Sequence, residues 1–415
     1  MKIRIEKLVT GGQGLGVLPD GRKVFVWNAL PGELVDVELI REKRSFADGV
    51  AVNIIEASSD RVEPKEKTYL STSPWQMLSE EAEEKHKLSI LREQFEREHL
   101  DLTVLPQKIV TDLKTYEYRN KVEFGFIEKD DVLHLAVTGR RSHEKVSVEG
   151  SMLARPELNR AADEVLGLLR QLAIPLDYLS HLTLRCSQDG STVGCLTVSA
   201  PRFQELPLPP SLQGIQVIFV NGFGRKHQTK VLQTLGDPVL TDTLLGVSLR
   251  YSATSFFQVN VPLYEQVLEN IKKLVKSKEV VELYAGVGSI GLTVGAKNIT
   301  LVDIDRFNTV YAKENLRRSA AKGEVVTSSS EKALDYIASD KSLVVDPPRA
   351  GLSPQVISRV MDVKPAQIIY LSCDPATLAR DLAKLTRLYK IQSVTAYNFF
   401  PRTPHIETLV VLERV

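Results

Sequence analysis

From residue 279 onward, short apolar runs alternate with helix-favouring stretches, and this alternation limits the fold more than any other feature. The runs cover residues 279–283, 299–302, 343–345 and 368–371, with helical stretches near 290–296, 309–320 and 354–361 between them. Runs so short and apolar, each followed by one helix, predict an α/β fold with a doubly wound parallel sheet. Such sheets bind ligands beyond the carboxyl ends of their strands. The motifs that carry chemistry fall at such ends.

The last run leads into Ser372-Cys373-Asp374-Pro375-Ala376-Thr377-Leu378-Ala379-Arg380-Asp381, read as a strand end, a corner and a helix. Backbone N–H groups and the helix dipole favour a thiolate at that corner, and a thiolate is a nucleophile. On position alone, Cys373 is equally a small buried hydrophobe.

Earlier, Glu282-Leu283-Tyr284-Ala285-Gly286-Val287-Gly288-Ser289-Ile290-Gly291 is a strand followed by a glycine-rich turn that opens a helix. Glycines there let backbone and ligand approach closely. Asp303 and Asp305 end the next strand, placed to accept from ribose hydroxyls. With one such unit and no second phosphate loop, an adenosine ligand such as S-adenosylmethionine fits better than a dinucleotide; a turn that merely packs helix on strand is the alternative. After the third run, Asp346-Pro347-Pro348-Arg349 forms a rigid loop, because paired prolines exclude helix and sheet, and the Asp346 carboxylate is directed at the cleft. Near the end, Thr403-Pro404-His405-Ile406-Glu407 precedes a strand over residues 409–412, with Glu407 either a solvated loop acid or a general base. Ser255-Phe256-Phe257-Gln258-Val259-Asn260 sets an amide among aromatics; core packing accounts for the phenylalanines but not for Gln258.

The 415 residues exceed one core, and 43% apolar with 25% charged residues is the composition of a globular chain. Residues 2–57 alternate in short pieces between glycine- and proline-rich turns, predicting a small β-barrel. Arg41, Lys43 and Arg44 cluster there, suited to RNA phosphates or simply to a solvated turn. Residues 59–73 read as a linker, residues 79–99 as a helix capped by Ser79, and residues 106–250 as an α+β region with one helix near 156–172. A net charge of +1 restricts nucleic-acid binding to local patches. Three scattered cysteines make no disulfide framework, which fits a reducing cytoplasm. With no signal-peptide core and no run of about 18 apolar residues, a cytoplasmic chain without membrane attachment is expected.

Together these motifs resemble the SAM-dependent RNA uracil-C5 methyltransferases, which make 5-methyluridine in tRNA or ribosomal RNA, and the resemblance spans nearly the whole chain. It implies an amino-terminal TRAM-like, OB-like barrel (residues 1–57), a central α+β domain (58–250) and a Rossmann-like catalytic domain (251–415). It implies Cys373 as the thiolate that adds to uracil C6 and Glu407 as the base that removes the C5 proton. Gln258, Tyr284, Ser289 and Asp303 match cofactor-contacting positions, and Asp346 one near both cofactor and uracil. A further cofactor contact is expected around Ser328 to Ser330. The implied partner is structured RNA, 23S rRNA or tRNA, bound by a monomer.

One departure stands out. Many members hold an iron-sulfur cluster on four cysteines, three in a tight stretch ahead of the helix and one in the central domain. Here residues 69–78 read Tyr-Leu-Ser-Thr-Ser-Pro-Trp-Gln-Met-Leu, and Ser151 stands near the fourth position. Hydroxyls do not replace thiolates, so no cluster and no other metal is expected. Cys186 and Cys195 read as core residues. Two other functions remain to be weighed: an RNA-binding or RNA-folding protein that kept the fold without turnover, against which Cys373 and Glu407 argue, and a methyltransferase for small molecules or proteins, against which the barrel and the thiol-base pair argue.

Overall fold

The computed structural model describes residues 1–140, 144–221 and 228–415. The chain divides into two compact units. Met1–His86, Lys114–Val239 and Pro401–Pro404 form the first; Lys87–Leu113, Leu240–Phe400 and His405–Val415 form the second.

In the first unit β1 (Lys2–Leu8), β2 (Gly14–Val17), β3 (Lys23–Trp27), β4 (Leu34–Glu42) and β5 (Phe46–Glu56) close into a barrel in the order β1-β2-β3-β5-β4. Period-two alternation turns Ile3, Ile5, Val24, Val26, Val35 and Val37 inward. Closure leaves no unpaired strand edge. β2 is Gly-Leu-Gly-Val, and its first residue, Gly14, reads in sequence as the end of the turn over residues 10–14. Residues 59–73 are held more firmly than a linker: the Arg61 guanidinium donates to both oxygens of the buried Glu33 carboxylate at 2.6 and 2.8 Å, and the Tyr69 hydroxyl to Asn28 Oδ1 at 2.6 Å. Composition marks a segment as irregular but does not reveal such anchors.

After the one-turn α1 (Tyr69–Thr72), α2 (Glu80–Arg97) starts where Ser79 Oγ accepts the Ala82 N–H at 3.3 Å, as its N-cap position predicts. β6 (Ile109–Val110) belongs to the second unit. The first unit resumes with β7 (Lys121–Lys129), β8 (Val132–Thr138), β9 (Lys145–Ser147), α3 (Pro156–Gln171), β10 (Leu179–Cys186), β11 (Thr192–Val198), β12 (Gly214–Asn221) and β13 (Gln228–Gly236). These strands form one sheet in the order β13-β12-β11-β10-β7-β8-β9. Leu158, Val165 and Leu169 of α3 join Phe124, Phe126, Leu182 and Leu196 in its core, and Cys186 lies among them. Cys195 is buried too, and burial pushes its thiol up to about 11.

The second unit resumes with a hairpin, β14 (Val239–Leu244) and β15 (Val247–Ser252), and then α4 (Val261–Leu274). There follow β16 (Glu279–Leu283), α5 (Ser289–Thr293), β17 (Asn298–Asp303), α6 (Arg306–Arg318), β18 (Lys322–Thr327), β19 (Ser342–Val345), α7 (Pro354–Val363), β20 (Gln367–Ser372), α8 (Pro375–Leu385), β21 (Tyr389–Tyr397) and β22 (Glu407–Arg414). The sheet order is β18-β17-β16-β19-β20-β22-β21-β6. The strands β16 to β20 are parallel, the four expected runs among them joined by β18, but β22 enters antiparallel to β20. Period and hydrophobicity carry no strand direction, so this reversal is invisible in sequence. Leu343, Val345, Ile368 and Tyr370 pack with Val356 and Val360 of α7 and Leu378 and Leu382 of α8. Each fully buried leucine or valine contributes about 1.5–3 kcal/mol, so the strand ends are fixed by the core beneath them. No helix among the described residues is long and apolar enough to cross a membrane.

Candidate active site

The reversal of β22 builds the reactive corner. Parallel strands β19 and β20 end together, whereas β22 starts at that same edge. Ser372, the last residue of β20, pairs with Thr408 of β22. Cys373 follows Ser372 and Glu407 precedes Thr408, so both lie at the end of this ladder, close enough for the Glu407 charge to act on the Cys373 thiol. Asp374 then caps α8, its carboxylate accepting the Thr377 N–H at 2.9 Å, with Pro375 in the first turn. Cys373 is half-buried, and Glu407 is only 2% exposed. Among the described residues Glu407 Oε2 has no hydrogen-bond partner.

Electrostatics at this corner oppose ionisation. Burial, and next the Asp346 charge, raise the Glu407 carboxyl well above its ordinary value. Burial pushes Asp346 up to about 7, against a hydrogen bond from Gln258 that favours its charged form. The Cys373 thiol is pushed up to about 12, by burial first and then by Glu407 and Asp346, with Arg349 acting in the opposite sense. The sequence expectation that the helix terminus favours a thiolate is therefore reversed in the free chain, where desolvation and two acids outweigh one helix end. Arg349 Nη2 lies 3.0 Å from His405 Nε2, and the His405 ring meets the edge of Phe400 at 5.8 Å.

The other candidate residues gather along the same strand ends. Tyr284, at φ +63°, follows β16, and its hydroxyl accepts from Ser330 Oγ at 2.9 Å. This brings the stretch from Ser328 to Ser330 to the glycine loop. Gly286 (φ +55°) donates its N–H to Asp303 Oδ2 at 2.8 Å, while Asp303 Oδ1 accepts from Asp305 N–H at 2.8 Å. With a further hydrogen bond from Asn308, these three donors leave the carboxylate a lone pair for a ligand hydroxyl. Gly288 and Gly291 serve packing: a Cβ on either would stand 2.8 or 2.6 Å from Leu301. The packing reading of the loop thus holds for Gly288 and Gly291. The Ser289 hydroxyl is 2.7 Å from that of Tyr264. Gln258 is buried beside Asp346. Of its two phenylalanines, Phe257 is core, stacked on Tyr251 at 4.3 Å, but Phe256 is 56% exposed, so core packing explains only one of them.

Residues 297–415 match the family model described as tRNA (Uracil-5-)-methyltransferase, and residues 1–52 match the TRAM domain. A protein of Lactiplantibacillus plantarum named as an uncharacterized RNA methyltransferase is 30% identical over 440 residues, covering 97% of this chain and 95% of its own. The chain belongs to the RNA methyltransferases of the uracil-5 family. A second family member, from Enterococcus faecalis and named in the same way, is 27% identical over 99% of this chain and 97% of its own. The fold is that of the Pyrococcus abyssi tRNA (uracil-54, C5)-methyltransferase solved with S-adenosyl-L-homocysteine: TM-score 0.76, 23% identity, 99% of this chain and 100% of that one covered.

The iron-sulfur cluster that resemblance to this family implies does not fit the residues present. Where its ligands would lie, the Glu66 carboxylate accepts from Thr72 Oγ1, from Ser73 Oγ at 3.1 Å, from Gln76 Nε2 at 3.0 Å and from the Met152 N–H at 3.3 Å. Gln76 Nε2 donates also to Ser73 Oγ at 2.6 Å. This methyltransferase thus joins the two segments by a carboxylate and hydroxyls, a donor set for hydrogen bonds and not for iron-sulfide. Sequence reading passed over Asn308, which accepts the Phe256 N–H at 3.0 Å and hydrogen-bonds Asp303. It also passed over Lys87, buried and bonded to Asn398 Oδ1 at 2.6 Å and the Phe400 carbonyl at 3.1 Å. Neither belongs to a motif, and Lys87 lies more than 300 residues from its partners.

Proposed function

We propose that the chain methylates C5 of a uridine in structured RNA, tRNA or 23S rRNA, through a covalent bond between Cys373 and C6, with S-adenosylmethionine as methyl donor. The observation that carries this reading is that Cys373 and Glu407 flank the last pair of the β20–β22 ladder, Ser372 and Thr408, with Glu407 and Asp346 both acting on the thiol. Gln258, Tyr284, Ser289, Asp303 and Asp346 along the strand ends are the residues to hold the cofactor. The adenosyl ligand of the Pyrococcus neighbour supports that choice. Residues 1–57 and 58–250 are the parts proposed to grip the RNA, with 251–415 catalytic.

When bound, S-adenosylmethionine supplies an electrophilic methyl group on a positively charged sulfur. The chain's task is to make C5 nucleophilic. Cys373, deprotonated, adds to C6; the C5=C6 electron pair moves into an enolate, and C5 becomes the carbon that takes the methyl. Glu407 then removes the C5 proton, the C5=C6 bond re-forms, and the Cys373 thiolate leaves. Burial suits Glu407 to this second step, since a carboxylate with a raised pKa is a stronger base than one in water.

RNA carrying 5-fluorouridine tests the assignment, because fluorine at C5 cannot leave as a proton. With cofactor present, a covalent protein-RNA adduct is expected for the parent chain and none for Cys373→Ala. Glu407→Gln is expected to accumulate the adduct on ordinary uridine RNA. A parent chain that binds the fluorinated RNA without covalent capture, or a Glu407→Gln variant that turns over at the parental rate, refutes the corresponding role.

A further inference from the structure

The motif that contains Cys373 runs on to Arg380-Asp381, two residues that the chemistry above does not use. Asp381 is fully buried on α8 and makes four short bonds. Its Oδ2 accepts from the Leu352 N–H at 2.8 Å and the Tyr370 hydroxyl at 2.9 Å. Its Oδ1 accepts from Arg380 Nε at 2.9 Å and Nη2 at 2.8 Å, and Arg380 Nη2 donates also to the Ala350 carbonyl at 2.8 Å. Ala350 and Leu352 end the loop that begins at Asp346. Gly351 between them has φ +73°, and a Cβ there would lie 2.5 Å from Asp381 Oδ2 and 2.7 Å from Arg380 Nη2, so the loop is seated against α8 with no room for a side chain.

A carboxylate buried this deeply adds little net stability over an apolar residue of similar volume. What it adds is direction: one side chain ties β20 through Tyr370, the Asp346 loop through Leu352, and the helix that begins two residues after Cys373. We propose that Asp381 and Arg380 are positioning residues that lock the Asp346-to-Gly351 loop against the Cys373 corner, fixing Asp346 and Arg349 relative to the thiol. The inference rests on the reading of Cys373 as nucleophile. The lock acts before any RNA is bound, so it can be read separately from turnover.

Arg380→Ala is the first test, because its side chain is 42% exposed and its loss removes no core packing although it deprives the buried Asp381 of its cation; Asp381→Asn, which removes that charge, is the second, and Arg380→Lys the conservative control. At saturating cofactor, the single-turnover rate of adduct formation on 5-fluorouridine RNA is expected to fall about 10- to 100-fold in Arg380→Ala, the effect of a misplacement near 1 Å. RNA and cofactor dissociation constants are expected to stay within about 3-fold, with Arg380→Lys between parent and alanine variant. A merely structural role would lower the melting temperature and leave the single-turnover rate of the folded chain unchanged, and that result overturns the proposal. In the RNA-free protein, alkylation of Cys373 by iodoacetamide is expected to quicken at least 3-fold as the loop loosens, with the buried Cys186 and Cys195 as internal controls. If the parent never captures RNA, the nucleophile assignment fails and alkylation decides the lock: equal Cys373 rates in parent and variants overturn it.

Discussion

Cys373 holds its proton in the free chain first because burial disfavours the thiolate, and then because Glu407, Asp346 and Asp374 lie close enough to oppose a further negative charge. Arg349 is the cation whose charge works toward the thiolate. Two outcomes follow at the level of single residues. With the thiol pushed up to about 12, alkylation of Cys373 by iodoacetamide in the free protein should rise about tenfold per pH unit between roughly pH 7 and 9.5, since only the thiolate reacts. Mass spectrometry of the labelled peptide checks this, and a rise that flattens as pH reaches about 9 would show an unshifted thiol. Arg349→Ala should slow the reaction at every pH in that range, because its positive charge no longer favours the anion; an unchanged rate would remove Arg349 from the thiol's electrostatics. The residue identities of this corner were legible in sequence, since cysteine, Asp-Pro-Pro and the terminal glutamate each sit beside a strand. Their mutual electrostatics were not, because the closeness of Asp346 and Glu407 depends on which strands are neighbours.

Secondary-structure elements explain why the motifs have the lengths they do. Glu282 sits in the middle of buried β16 and accepts the Gly291 N–H of α5 at 2.7 Å, while burial pushes its carboxyl up to about 8. Between the ordinary glutamate value and that pH, the folded chain keeps a proton that the unfolded chain has released. Its stabilising effect is therefore complete in acid and lost as pH rises through about 8. Glu282→Gln keeps an acceptor for Gly291 without the charge. It is expected to narrow the fall in melting temperature between roughly pH 6 and 9 by about 2–4 °C; scanning calorimetry at the two pH values decides it, and an undiminished fall assigns the pH dependence elsewhere. The β21–β22 connection poses a different problem, because Glu407 must be held although eight residues separate it from Asn398. Lys87 grips the first residues of that connection, so Lys87→Met should cost about 1–3 kcal/mol by removing a donor from two acceptors. It should also slow resolution of the adduct on ordinary uridine RNA about tenfold. Denaturant melts and adduct decay measured together separate a loss of folding from a displacement of Glu407, the base in the proposed reaction; decay at the parental rate would reduce Lys87 to a structural role. Strands with buried runs were found in sequence, whereas β18, Lys-Gly-Glu-Val-Val-Thr, was not: it is a half-exposed edge strand with little apolar signal.

On the scale of the whole molecule, the charge balance sets how RNA can be held. A net charge of +1 gives no long-range attraction, so affinity depends on a few placed cations. The barrel cluster read from sequence is smaller in structure than in composition: Arg41 is paired to Asp48, with Nη2 to Oδ2 at 2.6 Å, and is partly neutralised. Lys43 instead lies 5.7 Å over the Phe46 ring, itself edge-on to Phe25 at 5.8 Å, which presents a cation and an aromatic edge together. Sequence could place three basic residues at one turn; it could not say which of them an acid on the neighbouring strand had already claimed. If Lys43 and Arg44 each meet one phosphate, reversing both charges should weaken binding to matched and unrelated RNA alike. The slope of log affinity against log salt should also shrink by about 2. Arg41→Ala should weaken binding less than loss of either, since Asp48 already shares its charge. Filter-binding titrations over a range of potassium chloride concentrations give all three slopes. An unchanged slope in the double variant would move the phosphate contacts off this turn, and a loss confined to one RNA would make the turn a reader of sequence or shape instead of a grip on the backbone.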